Sequence, residues 1–226
     1  MSPPEAAKAS RTPARAATSD ASGPAQALVF DLGGVVLDID FNLALGAWSS
    51  LSTLPEHELR RRFKFDHAYR RHERGEITAH EYFDHLRSAL QLSASVQEIE
   101  AGWNAIFVAE MTETRTLVEQ ARRQLPCYAF TNTNATHMRQ WSSLYPQVVA
   151  AFDHVFASHR MGLRKPERAA FEHICAALAL APASILFFDD LAENVQAARD
   201  AGLQSVLVRT PQDVADALLA AGATGR

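Results

Sequence analysis

Short, mostly apolar runs alternate with segments of helical periodicity along much of the chain. Five runs predict strands buried on both faces, at residues 27–30, 127–130, 155–157, 185–188 and 205–208. Helical spacing of apolar residues follows at 114–125, 136–144, 167–178, 193–201 and 211–221. This alternation predicts an α/β fold with a Rossmann-like parallel sheet, in which active sites lie beyond the carboxyl ends of the strands.

The stretch from residue 41 to residue 110 interrupts this alternation. It holds a succession of amphipathic segments, and Thr78 with Glu81 and Ser95 with Glu98 have the capping-box spacing of helix starts. We therefore predict a helical domain over 41–110 that is inserted into a core of residues 26–40 and 111–226. Residues 1–25 are poor in large apolar groups and predict a disordered tail.

Composition excludes several classes of protein. The 226 residues have a formal net charge of -4, which lacks the basic footprint of a nucleic-acid-binding protein. No apolar run approaches the roughly 20 residues that cross a bilayer. Cys127 and Cys175 lie in apolar surroundings and are interpreted as reduced core residues. We expect a cytoplasmic monomer.

Polar clusters follow the first two predicted strands, at 27–30 and 127–130. Asp31 comes directly after the first run and precedes two glycines, which fits either a simple turn or a functional carboxylate. Thr131, Asn132 and Thr133 follow the second run at a helix start. Free backbone N–H groups there suit a phosphate, and helix capping is the alternative.

Two further clusters add charge. Lys165 precedes a proline at a predicted helix start; taken alone, it is typical of a solvated surface lysine. Asp189 and Asp190 come directly after an apolar strand, where mutual repulsion raises at least one pKa unless a cation is present. A hard, oxygen-binding ion such as Mg²⁺ resolves that conflict.

In their order along the chain, these clusters resemble the haloacid-dehalogenase superfamily. The resemblance implies that Asp31 is the nucleophile and that Thr131 binds phosphate. It also implies that Lys165 balances charge, and that Asp190, with Asp189 alongside, binds the metal. The inserted helical stretch is similar to the type-1 cap of that superfamily.

A closer resemblance extends into the insertion and is carried by the motifs at residues 38–42, 45–49, 72–77, 131–134 and 164–166. These motifs resemble those of bacterial alpha-D-glucose-1-phosphate phosphatases. The resemblance implies that Asn132 and Thr133 bind the substrate phosphate together with Lys165, and that the substrate is a small sugar phosphate.

By this resemblance the chain is a Mg²⁺-dependent phosphatase that forms an aspartyl-phosphate on Asp31. Gly33 departs from the pattern, because most phosphatases of the superfamily have an acid/base Asp there. Its backbone carbonyl remains a possible Mg²⁺ ligand beside Asp31, Asp189 and Asp190. Two hypotheses address the missing proton donor: a substrate with a good leaving group, or proton transfer by a cap residue such as His72 or Glu73.

Two alternatives compete with this interpretation. A metal-independent 2-haloacid dehalogenase also lacks the second Asp, although Asp189 and Asp190 argue for metal and phosphate. A weakly active phosphometabolite-binding regulatory protein also fits the missing acid/base group.

Overall fold

A computed structural model describes residues 23–224, and a five-stranded parallel sheet lies at its centre. The strands lie in the order β5, β4, β1, β6, β7, so that β1 is central between β4 and β6. Their bounds are β1 (Ala27–Phe30), β4 (Cys127–Thr131), β5 (His154–Ala157), β6 (Ile185–Asp189) and β7 (Gln204–Leu207). The predicted parallel α/β sheet is confirmed.

Helices connect these strands and pack on both faces of the sheet. All five helices predicted for this part are present, with ends shifted by no more than a few residues. Two further short helices, Pro146–Ala150 and Ser158–Met161, lie outside the prediction, because segments of five and four residues are too short for a periodic pattern. The bounds are α6 (Thr112–Ala121), α7 (Ala135–Leu144), α8 (Pro146–Ala150), α9 (Ser158–Met161), α10 (Arg168–Leu178), a 3₁₀ turn (Pro182–Ser184), α11 (Ala192–Asp200) and α12 (Pro211–Ala220).

Residues 41–104, between β1 and β4, form five helices with an apolar core of their own. Trp48 and Trp103 are fully buried there and their rings stack at 6.4 Å. Both predicted capping boxes are present, at the starts of α4 and α5. The helices are α1 (Phe41–Ser49), α2 (Glu56–Arg62), α3 (His67–Glu73), α4 (Ala79–Leu90) and α5 (Val96–Asn104). We call these helices the cap.

A small antiparallel ribbon joins the cap to the rest of the chain and corrects the prediction of a wholly helical insertion. β2 (Leu37–Ile39) pairs with β3 (Phe107–Glu110), so the last residues of the 41–110 stretch form a strand. Neither strand is a continuous buried run. Asp38 is exposed in β2, and β3 is partly buried at its two ends and exposed between them. The apolar pattern that identified the sheet strands is therefore missing here.

The cysteines, the lengths of the helices and the N-terminal tail complete the comparison with the sequence. Cys127 and Cys175 are free and buried, as predicted. Among residues 23–224 no helix has the length and apolar character needed to cross a membrane, the longest having 12 residues. Most of the predicted disordered tail, residues 1–22, lies outside the described residues.

Candidate active site

The carboxyl ends of β1, β4 and β6 meet at one cavity of about 690 Å³ between the sheet and the cap. Asp31 follows β1 directly, Thr131 ends β4, and Asp189 ends β6 with Asp190 next to it. Adjacent parallel strands bring residues far apart in sequence to the same edge of the sheet. The cavity is lined by Asp31, Thr131 and Asp190, and the cap supplies its opposite wall with Phe41, Tyr69 and Glu73 among others.

Lys165 is buried in this site and is not a solvated surface lysine. Its Nζ lies 2.9 Å from Asp31 Oδ1 and 2.7 Å from Asp189 Oδ2, above the rings of Phe130 and Phe187. Burial alone would lower the pKa of Lys165, but the carboxylates of Asp189 and Asp31 outweigh it and raise that pKa. The lysine is therefore a permanent cation that holds two strand ends together.

Asn132 fixes the backbone that carries this lysine. Its side-chain Nδ2 donates to the Lys165 carbonyl and its Oδ1 accepts from the Lys165 N–H, both at 2.9 Å. The sequence predicted a phosphate-binding role for Asn132. Its amide group instead contacts Lys165, so the structure adds a positioning role that the sequence could not indicate.

Asp189 is saturated by protein donors. Its Oδ1 accepts from the Leu191 N–H at 2.8 Å and from Asn194 Nδ2 at 2.9 Å, while its Oδ2 accepts from Lys165. Asn194 is a site residue that sequence reasoning did not identify. Its only signal is that it follows Asp189 by five residues in the helix that continues from β6.

Asp31 and Asp190 retain oxygens that accept no hydrogen bond from another residue that the structure describes. Asp31 Oδ1 accepts from the Leu32 N–H at 2.7 Å and faces Lys165, which leaves Oδ2 free. Oxygens of Asp31, Asp189 and Asp190 lie within 4.8 Å of one another. Such a group of carboxylates suits a divalent cation with oxygen ligands.

The pKa shifts of the carboxyl groups in the site agree with binding of a divalent cation. Burial raises the pKa of Asp31 to about 8 against the opposing effect of Lys165, and Asp189 and Asp190 add to the rise. Burial and Asp189 likewise raise the pKa of Asp190. Three carboxylates face one ammonium, so the site has an excess of negative charge that a divalent cation would offset.

The two glycines after Asp31 shape this acidic group differently. A Cβ on Gly33 would lie 2.8 Å from Ile39 Cδ1, so Ile39 occupies the direction that a side chain at residue 33 would take. Gly34 has a φ of +73° and a Cβ there would overlap the carboxylate of Asp190. Only glycine allows the Asp190 carboxylate to lie this close to the Asp31 loop.

Gly34→Ala is expected to displace the Asp190 carboxylate and to lower the free energy of unfolding by about 1–3 kcal/mol, from the left-handed φ and the overlap. Urea denaturation and calorimetric titration with Mg²⁺ measure the two effects. Gly46→Ala is the matched control, since a Cβ there meets nothing within 4 Å. Unchanged Mg²⁺ affinity in Gly34→Ala would contradict the assignment of Asp190 to the cation site.

Hydroxyl groups line the side of the cavity next to β4. Thr131 and Thr133 are buried and line the cavity, and neither hydroxyl has a hydrogen-bond partner among residues 23–224. Thr133 is held by its backbone, because its N–H donates to Ser158 Oγ and its carbonyl accepts from that hydroxyl, both at 2.8 Å. The structure thus places Thr131, Asn132, Thr133 and Lys165 together with Asp31 at one edge of the sheet.

Comparison with known proteins gives relatives over most of the chain. A phosphatase of Mycobacterium tuberculosis is 30% identical over 196 residues, covering 80% of this chain and 86% of the relative. The D-ribitol-5-phosphate phosphatase of Bacteroides thetaiotaomicron is 23% identical over 183 residues, covering 79% of this chain and 89% of that protein. The similarity therefore includes both the cap and the core.

A solved structure and a family model cover the same region. The structure is a haloacid-dehalogenase-family enzyme from Bacteroides thetaiotaomicron in complex with magnesium and inorganic phosphate. It superimposes with a TM-score of 0.71 at 25% identity and covers 80% of this chain and 92% of that chain. Residues 25–202 match the model of the haloacid dehalogenase-like hydrolases. With the acidic strand ends and the buried lysine in place, the chain belongs to the haloacid dehalogenase-like hydrolases.

Proposed function

We propose that the protein is a Mg²⁺-dependent phosphatase of small phosphomonoesters that uses Asp31 as its nucleophile. The observation that carries this proposal is the arrangement of Asp31, Asp189 and Asp190 around buried Lys165, beside the free hydroxyls of Thr131 and Thr133. Relatives named as phosphatases and the magnesium and phosphate complex of a related enzyme support it.

The free Oδ2 of Asp31 attacks phosphorus, and the bond to the leaving oxygen breaks, which gives an aspartyl-phosphate that water then hydrolyses. Thr131 and Thr133 donate hydrogen bonds to the phosphoryl oxygens, and Lys165 stabilises negative charge next to Asp31. Asn132 holds the backbone of Lys165 in place during both steps.

Asp31, Asp190 and the backbone carbonyl of Gly33 would hold Mg²⁺, with Asp189 next to them. When bound, the ion neutralises charge on the phosphoryl group and on the carboxylates. Asp189 contributes mainly by holding Lys165 and Asn194, because its oxygens already accept hydrogen bonds.

We propose a small sugar phosphate such as alpha-D-glucose 1-phosphate as the substrate. The cavity has the size of a small-molecule pocket, and its lining includes the aromatic residues Phe41, Phe65 and Tyr69, against which the apolar face of a sugar can pack. The relative that acts on D-ribitol 5-phosphate supports a polyol phosphate. Of the two hypotheses for Gly33, the good leaving group fits a sugar 1-phosphate.

We further propose that the protein acts as a cytoplasmic monomer and that residues 41–110 are a separate domain covering the site. The cap supplies one wall of the cavity, so its opening would admit substrate and its closing would exclude water.

Removal of the metal is expected to abolish phosphate release, and added Mg²⁺ to restore it, because three carboxylates and a phosphate otherwise repel one another. The assay measures phosphate released from a panel of sugar phosphates in the presence of EDTA or Mg²⁺. Release that is undiminished by EDTA would refute the metal dependence.

Two further measurements test the two alternatives. Chloride release from 2-chloropropionate in EDTA would identify a dehalogenase, which Asp189 and Asp190 argue against. Binding of a phosphometabolite without release of phosphate would identify a regulatory binding protein.

A further inference from the structure

Gly33 has no side chain that could protonate the leaving group, so another residue has to supply that proton. The geometry of phosphoryl transfer indicates where this proton donor must lie. The attacking and leaving oxygens lie on opposite sides of phosphorus. Asp31 lies at the sheet edge, on the floor of the cavity, so the leaving oxygen points away from the sheet and towards the cap. A group that protonates it must therefore line the cavity from the cap or its surroundings.

Most of the titratable groups that line the cavity are poorly suited to protonate the leaving oxygen. His137 donates its Nε2 proton to the Trp103 carbonyl at 2.9 Å, and burial lowers its pKa to about 3. Glu193 is exposed at the start of α11. Glu167 is one-third exposed and pairs with Arg74. Burial raises the pKa of Tyr69 well above its usual value, which makes the phenol a weak acid.

Apart from Asp31 and Asp190, which are assigned to the nucleophile and the cation site, Glu73 is the remaining carboxyl group of the cavity, and its setting suits proton transfer. It ends α3, lines the cavity from the cap, and has a side chain that is only 4% exposed. Its Oε2 accepts from Arg164 Nε at 2.8 Å, and the phenol of Tyr69 lies beside the same carboxyl group. Because Arg164 precedes Lys165, this contact places the carboxyl group next to the loop that carries the buried lysine.

The end of α3 is fixed against the core at this point. Gly75 has a φ of +68° and its Cα lies directly against the His159 carbonyl, where a Cβ would overlap that oxygen. Arg74 pairs with Glu167 on the core side. The two contacts, together with the pair between Glu73 and Arg164, hold the carboxyl group over the cavity.

Burial raises the pKa of Glu73, although Arg164, Tyr69 and Lys165 act to lower it. Tyr82 and Arg74 also lie within electrostatic range. A carboxyl group with a raised pKa remains partly protonated at higher pH than an ordinary glutamic acid. Arg164 then stabilises the carboxylate that proton donation leaves behind.

We propose that Glu73 is the general acid and general base of the reaction, replacing the group that is absent at Gly33. This rests on the proposed phosphatase function. As Asp31 bonds to phosphorus, the electron pair of the breaking bond passes to the leaving oxygen, which takes the proton of Glu73. In the second step the Glu73 carboxylate takes a proton from water as that water attacks phosphorus, and the electron pair returns to Asp31.

His72, the other cap residue considered, is excluded. It is buried, stacks on Tyr82 at 4.5 Å, and is absent from the cavity lining. Burial and His159 lower its pKa to about 4, so it is neutral at the pH of the reaction. It supports the packing of the cap.

Glu73→Gln is expected to lower kcat/KM for a sugar 6-phosphate by about 10²–10⁴-fold, because its alkoxide needs a proton to leave. For p-nitrophenyl phosphate the loss is expected to stay below about tenfold, because nitrophenolate leaves unprotonated. The same variant should release a burst of nitrophenolate, since hydrolysis of the aspartyl-phosphate has lost its base. Stopped-flow absorbance measures the burst.

Glu100→Gln is the matched control, because it breaks another ion pair between cap and core, with Arg139, at a residue that does not line the cavity, so kcat/KM for both substrates should change by one common factor. An equal loss on both substrates in Glu73→Gln would overturn the proposal and leave Glu73 a packing residue.

If Glu73→Gln does not fold, the pH dependence of the wild-type enzyme tests the proposal instead. Its kcat/KM for the sugar 6-phosphate, relative to that for p-nitrophenyl phosphate, must fall as rising pH deprotonates Glu73. A pH-independent ratio would refute the assignment. No Asp31-dependent release from either substrate would refute the phosphatase function itself.

Discussion

Asp31→Asn is expected to lower the rate of phosphate release by at least about 10⁴-fold, since loss of a nucleophile removes the covalent route entirely. The amide has the same shape and can still accept the Leu32 N–H through its oxygen, so the fold should survive. Phosphate release with Mg²⁺, beside the circular dichroism spectrum of the variant, separates loss of chemistry from loss of structure.

Asp38→Asn provides the matched control. Asp38 is seven residues away in the chain, is exposed on β2, and does not line the cavity. Its variant should retain the rate of the wild type. Comparable losses in both variants would mean that Asp31 is not the nucleophile.

Lys165→Met should cause the largest loss of stability, about 3–5 kcal/mol in the free energy of unfolding, because it leaves two buried carboxylates without their cation. Methionine retains most of the apolar stem that packs between Phe130 and Phe187. The change therefore isolates the charge. Urea denaturation followed by circular dichroism measures it, and activity should fall as well, since Asp31 and Asp189 lose their shared partner.

Lys64→Met removes a lysine that is exposed on the cap, and it should change the unfolding free energy by less than about 0.5 kcal/mol. If both variants lose the same small amount, then Lys165 does not hold the carboxylates together in solution. A loss confined to Lys165→Met supports the buried ion pairs.

The sequence predicted the sheet well because its strands are buried on both faces. β1 reads as four apolar residues in a row, and all four are buried. Asp31 and Asp189 could be found because they end or follow such runs, and topology alone then brings them to one edge. Where burial is partial, as in β2 and β3, the apolar pattern is absent and the strands were missed.

The environment of each side chain depends on partners that are distant in sequence, and local patterns do not contain it. Lys165 lies in a polar loop, so its local sequence is typical of a surface lysine. Its partners are distant in the chain, because Asp189 lies 24 residues later and Asp31 lies much earlier. The contact between Asn132 and Lys165 spans 33 residues, and the contact between Glu73 and Arg164 spans 91. Only the folded chain shows which polar groups are already occupied.

The role of Asp31 as nucleophile is tested by a rapid acid quench of the enzyme with Mg²⁺ and phosphorus-labelled glucose 1-phosphate, followed by peptide mapping. We predict a labelled acyl-phosphate on the peptide that contains Asp31, formed within one turnover and absent in Asp31→Asn. Full turnover of the substrate with label on another residue, or with no labelled protein at any time under single-turnover conditions, would contradict the assignment of Asp31 as the nucleophile.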